Sequence, residues 1–181
     1  MNEGLIPRRY AKALYEYAAS LGKEERIYDM MKNLSGAFET MPQIRKALAN
    51  PFVDAGDKKK VLATAAGAVE DDTVFANLLS LLDSNRRFDM AQGIALAYED
   101  MYRSAKGIKI VKVQTASPLD PALEQRLKKI IAEHLHGDTM EYTASVNPDL
   151  IGGFTVQTGN ERLDASVANE LKQLRLNLIS K

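Results

Sequence analysis

In Gly107-Ile108-Lys109-Ile110-Val111-Lys112-Val113 the apolar spacing of the chain changes from steps of three and four to steps of two. Ile108-Lys109-Ile110 alternates in one phase and Val111-Lys112-Val113 in the opposite one, the pattern of a strand that carries a bulge. The residues before this stretch read as helix and those after it as strand mixed with helix. A domain boundary is therefore expected at 106–107, with a mainly α protein divided into an all-helical part, 1–106, and a small α/β part, 107–181. No low-complexity linker or internal repeat marks the join, so the two parts are expected to lie close together.

Upstream, six helices are predicted. From Pro7 to Ser20 the positions Tyr10, Ala13, Leu14, Tyr17, Ala18 and Leu21 share one face, widened by Ala11 and Ala19, and Gly22 offers a stop. A second helix over about Lys23–Glu39 turns Ile27, Met30, Met31, Leu34 and Phe38 inward, and Pro42 breaks it. Two shorter ones follow: Pro42–Ala49, ended by Asn50-Pro51, and Asp54–Ala66, opened by an Asp cap and closed by Gly67. Asp72-Thr73 opens a fifth helix, apolar nearly all round through Val74, Phe75, Leu78, Leu79, Leu81 and Leu82, which is expected to be enclosed by neighbours or by a partner. The sixth runs over about Phe88–Ala105 and stops at Gly107. Short connections favour an antiparallel bundle.

Downstream, Asp120–His136 reads as a helix with Leu123, Leu127, Ile130, Ile131 and Leu135 on one side. Met140, Tyr142, Ala144 and Val146 mark a strand face, Phe154 and Val156 belong to a pair of short strands, and Gly159-Asn160 suits a turn. Ser166 is placed to cap a last helix bearing Val167, Leu171, Leu174 and Leu178. Gly152-Gly153, between Ile151 and Phe154, points to a positive φ or a close backbone approach at a strand entry.

Composition narrows the chemistry. The 181 residues carry 24 basic and 24 acidic side chains, 45% hydrophobic residues and no cysteine, which removes disulfides, thiolate metal sites and cysteine nucleophiles. Neither half is a basic module: residues 1–105 hold 14 basic and 15 acidic residues, the remainder 10 and 9. Nucleic-acid binding thus lacks its electrostatic basis. The most apolar stretch, Val74–Leu82, is far too short for a bilayer, and the start of the chain carries no export or import address. His134 and His136 point to different sides of a helix and suit no shared metal. Glu24-Glu25, Asp71-Asp72 and Glu99-Asp100 read as helix-end or surface charges, because adjacent helical residues do not face a common point. Lys58-Lys59-Lys60, beside Asp54 and Asp57, reads as a solvated helix face. Gly152-Gly153 lacks the partners of a phosphate loop, and no serine stands in a nucleophile elbow. No catalytic residue, metal or cofactor is assigned.

Arg9-Tyr10-Ala11-Lys12-Ala13-Leu14-Tyr15 and Val146-Asn147-Pro148-Asp149-Leu150-Ile151-Gly152-Gly153-Phe154 closely resemble the delta-subunit family of bacterial F-type ATP synthases, whose mitochondrial counterpart is the oligomycin-sensitivity-conferring protein. The resemblance extends through Asn85-Arg86-Arg87, Ala116-Ser117-Pro118-Leu119 and Leu163-Asp164-Ala165-Ser166, in order over nearly the whole chain. Asn147 stands where the family usually has Asp, and Ala165 where Gly is usual, which touches local turns only.

The resemblance implies a non-catalytic stator subunit of a proton-translocating enzyme, at the cytoplasmic face of the bacterial membrane and associated with it only through the complex. A six-helix bundle over 1–106 would grip the N-terminal helix of an alpha subunit at the tip of the catalytic head. The small domain over 107–181 would meet the b subunits of the peripheral stalk. In the family the head-binding groove lies between the first and fifth helices, here Pro7–Ser20 and Thr73–Ser84. Tyr10, Ala13, Leu14 and Tyr17 would then face Asn77, Leu78, Leu81 and Leu82, some as groove and some as core. The last helix, through Leu171, Leu174, Leu178 and Ile179, is expected to serve both packing and b-subunit contact. The competing reading is a small-molecule or nucleotide-binding regulatory protein that uses the α/β part, with Gly152-Gly153 near a phosphate. Thermal-shift screening separates the two, since a ligand at 100 times its Kd stabilises the fold by about 2.7 kcal/mol.

Overall fold

The computed structural model describes residues 4–69, 72–135, 139–159 and 161–179, the last three of these as backbone alone, and they separate into two units, Met1–Ala105 and Lys106–Lys181. Of the residues singled out above, Asp71, His136, Asn160 and the side chains of Leu178 and Ile179 lie outside the described part. The chain is mainly helical with one small four-stranded sheet.

The first unit holds α1 (Leu5–Ser20), α2 (Glu24–Thr40), α3 (Gln43–Ala49), α4 (Ala55–Ala66), α5 (Thr73–Ser84), a 3-10 turn (Phe88–Met90) and α6 (Ala91–Lys106). Its local stops follow residue chemistry. The Asp54 carboxylate accepts the Gly56 N–H at 2.8 Å and opens α4, and Gly67, at φ 67°, closes it in the left-handed region. The sixth helix begins as a tight 3-10 turn over Phe88–Met90, where a plain α-helical start is expected.

Large apolar residues of α2 fill the interior: Ile27, Met30, Met31, Leu34 and Phe38 are all buried, as the spacing predicts. Phe75 and Leu82 of α5, Ile94 and Tyr98 of α6, and Leu62 of α4 are buried as well. Each such side chain contributes about 1.5–3 kcal/mol relative to exposure.

Two helices turn differently from expectation. On α1 the buried stripe is Pro7, Ala11, Leu14 and Ala18, so Ala13 and Tyr17 face outward. Alanine at 11 and 18 lets α1 lie close to its neighbours, while a tyrosine hydroxyl keeps its water contact by facing out. On the fifth helix the chain's own neighbours cover Val74, Phe75, Leu78, Leu79 and Leu82 and leave Ala76, Asn77, Ser80 and Leu81 as an exposed side, so the enclosure expected from neighbours is partial.

Two carboxylates read as helix-end or surface charges are buried: Asp72 does stand at a helix end, as the N-cap position of α5, while Glu99 lies inside α6 and is neither. Asp72 is 9% exposed and accepts hydrogen bonds from Arg26 Nε (3.3 Å), Arg26 Nη2 (2.9 Å) and the Val69 N–H (2.9 Å). Glu99 is 5% exposed and accepts from the Ser35 hydroxyl at 2.6 Å and Arg103 Nη2 at 2.9 Å. Buried carboxylates persist only when paired and hydrogen-bonded, and both are.

The second unit runs β1 (Lys109–Thr115), α7 (Pro121–His134), β2 (Met140–Val146), a 3-10 turn (Pro148–Leu150), β3 (Gly153–Thr158), β4 (Glu161–Ser166) and α8 (Val167–Ile179). Sheet order is β2-β1-β3-β4. The β1–β2 pair is parallel, which the α7 crossover permits, and the other two pairs are antiparallel. Register between β1 and β2 runs unbroken from Lys109↔Met140 to Thr115↔Val146, so the expected bulge is absent. Val111 and Val113 face the core, while Lys112 and Gln114 face out. Ile110 falls on the outward side and is only partly covered, which produces the apparent change of phase in the sequence.

Val111, Val113, Ile131 and Val156 form the core, flanked by Leu127, Leu135, Met140, Tyr142 and Phe154. Of the apolar side of α7, Ile131 is buried, while Leu123 and Ile130 are 51% and 63% exposed. Gly153 sits at φ 75°, and a Cβ there would run into the Ala165 carbonyl oxygen across the β3–β4 pair. Close backbone approach accounts for this glycine.

Candidate partner-binding site

Helices α1 and α5 are neighbours with a seam between them, and burial divides the eight side chains nominated on them. Leu14, Leu78 and Leu82 are 6%, 6% and 1% exposed and belong to the interior beneath the seam. Ala13, Tyr17, Asn77 and Leu81 are exposed, and Tyr10 is half-buried. The Asn77 amide donates to the Tyr17 hydroxyl at 3.4 Å across the seam. At the other end Arg87 Nη1 donates to the Tyr10 hydroxyl at 3.3 Å. Ala13 is exposed and lies in sequence between Tyr10 and Tyr17, three and four residues away on the same helix.

Arg87 is a seam residue that spacing alone does not nominate. After α5 the chain reverses through Arg86, at φ 53°. Arg86 N–H donates to Asp83 O at 2.9 Å and Arg87 N–H to Leu82 O at 2.8 Å. This is the double bond pattern of a left-handed helix stop, formed without the usual glycine, and the Asn85 amide adds a bond to Leu81 O at 2.8 Å. The reversal brings the Arg87 side chain back to Tyr10.

Nothing in the seam arranges an acid, base or nucleophile for chemistry. Among the described residues no group of three His, Asp or Glu side chains is placed to hold a metal ion, and no helix is long and apolar enough to cross a membrane.

In the second unit, Leu171 and Leu174 of α8 are 52% and 58% exposed. Their expected share in packing is absent: no described side chain of α8 is buried. The helix starts as predicted at Ser166, whose hydroxyl accepts the Asn169 N–H at 3.2 Å and donates to Asp164 Oδ1 at 2.6 Å. The Ser166 hydroxyl and N–H hold the Asp164 carboxyl below the usual carboxylate range. An apolar cavity of about 360 Å³ between α7 and the β3–β4 half of the sheet, lined in part by Leu127, Ile130, Phe154 and Leu163, was not foreseen as a surface. Periodicity marks Leu127 and Ile130 as apolar-face residues without telling how far the sheet covers them.

The sequence model of the family described as ATP synthase delta (OSCP) subunit matches residues 6–178. The ATP synthase subunit delta of Parabacteroides distasonis is 38% identical over 179 residues, covering 99% of this chain and 98% of that protein. That of Bacteroides thetaiotaomicron is 38% identical over 182 residues, covering 100% and 97%. A chain in the cryo-EM structure of the Toxoplasma gondii mitochondrial ATP synthase hexamer matches with a TM-score of 0.71 over 96% of this chain and 97% of its own length. At 24% identity that likeness shows a shared fold. Since the family match spans both units and the bacterial relatives align end to end, this chain belongs to the ATP synthase delta (OSCP) subunit family.

Proposed function

We propose that this chain is a non-catalytic stator subunit of a proton-translocating F-type ATP synthase, held at the cytoplasmic face of the bacterial membrane through the complex. The helices of the first unit act as a six-helix bundle that grips the N-terminal helix of an alpha subunit at the tip of the catalytic head. The second unit meets the b subunits of the peripheral stalk through α8, using the exposed Leu171 and Leu174, with Leu178 assigned to the same face. The head is thereby kept from turning with the rotor. A neutral charge balance in both halves supports protein partners over nucleic acid.

The observation that carries the reading is the open α1–α5 seam: Ala13, Tyr17 and Leu81 exposed above a buried floor of Leu14, Leu78 and Leu82. A clamp under torque needs a slow off-rate, and nanomolar affinity corresponds to about 12 kcal/mol. Ala13→Asp tests it. The position is exposed, so the fold tolerates the change, while a carboxylate buried against an apolar helix face goes unpaired. Calorimetric titration with a peptide of the alpha-subunit N-terminus is expected to show binding weakened well over tenfold, with an unaltered far-UV spectrum. Equal affinity for both proteins would remove the seam from the reading.

A further inference from the structure

The sheet of the second unit turns Val111, Val113 and Val156 to the core, and the side chains between them stand on its opposite face. There the register lines up two polar rows across the four strands. Thr143, Lys112, Gln157 and Arg162 are directly opposite one another in the first row. Ser145, Gln114, Thr155 and Asp164 make up the second. The two rows enclose a cavity of about 250 Å³, lined by all of these residues except Asp164.

A polar outer face is ordinary for such a sheet, but three features set this one apart. Thr155 is only 4% exposed, lines the cavity, and its side chain makes no hydrogen bond among the described residues. A hydroxyl withdrawn that far from water costs free energy unless something in the cavity bonds it. Lys112, diagonal to Thr155 across β1 and β3, has no carboxylate partner among the described residues. The lining also carries two cations and no carboxylate. Asp164, next to Thr155, is engaged elsewhere: it accepts from the Ser166 hydroxyl at 2.6 Å, the Ser166 N–H at 3.2 Å and Arg162 Nη2 at 3.2 Å. That last bond steadies the guanidinium and leaves its other N–H groups to donate. Glu141, one row beyond Thr143, stays out of the lining.

We infer that this cavity binds a phosphate group, with Lys112 and Arg162 supplying the charge and the Thr155 hydroxyl donating to one of its oxygens. Phosphate oxygens only accept, and each lining side chain has an N–H or O–H to give, whereas a bound cation would find no opposite charge. Lys112 and Arg162 stand two strands apart, roughly 10 Å between backbones, so both long side chains reach an ion held between them. The space is below the roughly 300–1,000 Å³ of drug-sized ligand clefts and equals about eight waters, which suits one phosphate group with part of its hydration. Its source is either the free ion or a phosphate ester. The inference goes beyond the stator reading and does not rest on it, and no α8 side chain lines the cavity, so the face assigned to the stalk stays available.

Amide NMR of the full-length chain, titrated with sodium phosphate against sodium chloride at constant ionic strength, tests it. Saturable shifts are expected at Lys112, Gln114, Thr155 and Gln157, with a Kd of about 1 mM or tighter. Lys112→Gln is expected to weaken binding about tenfold or more, and so is Thr155→Val, with Thr155→Ser restoring it. Lys112 is exposed, so its variant keeps the fold whatever becomes of Thr155→Val. Lys109→Gln removes the same charge from the other phase of β1 and is expected to leave the affinity unchanged. A parallel titration with glycerol 3-phosphate separates the sources: tighter binding than inorganic phosphate assigns the ester, weaker binding assigns the free ion, and either upholds the site. Shifts that stay linear to about 50 mM phosphate overturn the inference, since they report a hydrated sheet face only. So does wild-type affinity in Lys112→Gln, and so does an equal loss in Lys109→Gln, which would report general charge screening.

Discussion

Asp72 ties Arg26 of α2 to the segment that leads into α5, and its removal has a calculable cost. Its carboxylate receives two bonds from Arg26 and one from the Val69 N–H, and Arg26 Nη2 also reaches Gly67 O at 3.1 Å. Arg26 is 43% exposed and can be rehydrated, so the guanidinium pair is taken at the solvent-screened value of up to about 1 kcal/mol. The bond from the Val69 amide to a buried charged acceptor adds about 1.5 kcal/mol. Asp72→Ala should therefore cost about 2.5 kcal/mol at neutral pH. Asp72→Asn, which keeps an acceptor for Val69, should cost about 1 kcal/mol. Acid should erase the difference. Hydrogen bonding from Arg26, chiefly, holds the Asp72 carboxyl below its usual value of 3.8 in the folded chain, so the unfolded chain binds the proton first as the pH falls. The stabilisation is complete above about pH 4 and is lost as the pH drops through the folded value. Urea unfolding followed by far-UV circular dichroism reads this out, since the first unit holds α1 to α6 and dominates the signal. Asp72→Ala costing under about 0.5 kcal/mol, or a gap between wild type and Asp72→Asn unchanged from pH 7 to pH 2.5, would refute the reasoning.

Two further outcomes are expected. Glu99→Ala should destabilise the first unit by about 3 kcal/mol, because Arg103, only 15% exposed, loses the buried carboxylate it donates to; a double-mutant cycle with Ser35→Ala should return a coupling of about 1 kcal/mol. Gly153→Ala should cost more than about 2 kcal/mol and speed amide exchange along β3 and β4, because the added methyl meets the Ala165 carbonyl at a positive φ. Gly159→Ala, at φ 57° in open space, should cost only about 1 kcal/mol, and equal costs at the two glycines would count against the close-approach account.

The features legible in the sequence are those set by neighbours in the chain. Asp54 and Gly67 bracket α4 because a cap and a left-handed stop act within two or three residues, and Ser166 opens α8 in the same way. The change of period at Gly107 is visible because alternation is local too. What stayed hidden depends on distance or on phase. Arg26 meets Asp72 from 46 positions away and Ser35 meets Glu99 from 64, so no spacing rule ties them, and the carboxylates read as helix-end or surface charges without their buried partners. On α1, periodicity gives a stripe without its rotation. Both Ala11 and Ala13 fit an apolar face, and only tertiary packing selects Ala11 for the interior and leaves Ala13 outside. The residues nominated on α1 and α5 come from family resemblance, and core and surface members among them separate only when their burial is known. The apolar cavity is missed for a related reason: Ile130 and Leu163 have the residue type of core positions, and their exposure results from how little of the β3–β4 half α7 covers.

The two faces assigned to partners differ in what they must give up on binding. At the seam, Ala11 and Ala18 are fully buried, Leu14 and Leu78 nearly so, and the rim hydroxyls of Tyr10 and Tyr17 are already bonded to Arg87 and Asn77. On the stator reading, the buried floor and the two bonded hydroxyls reduce the freedom this face would lose on binding. The α8 face is built the other way: its leucines stand on a helix with no described side chain buried and with its firm attachments at Ser166 and Val167. A partner there must hold the helix as well as bury the leucines, so part of the gain from burial is spent on ordering. On the stator reading, affinity at the head end is set by preorganisation, and at the stalk end by the number of α8 turns the partner covers beyond Ser166. A longer or multivalent contact is what that second end requires to bear the same load.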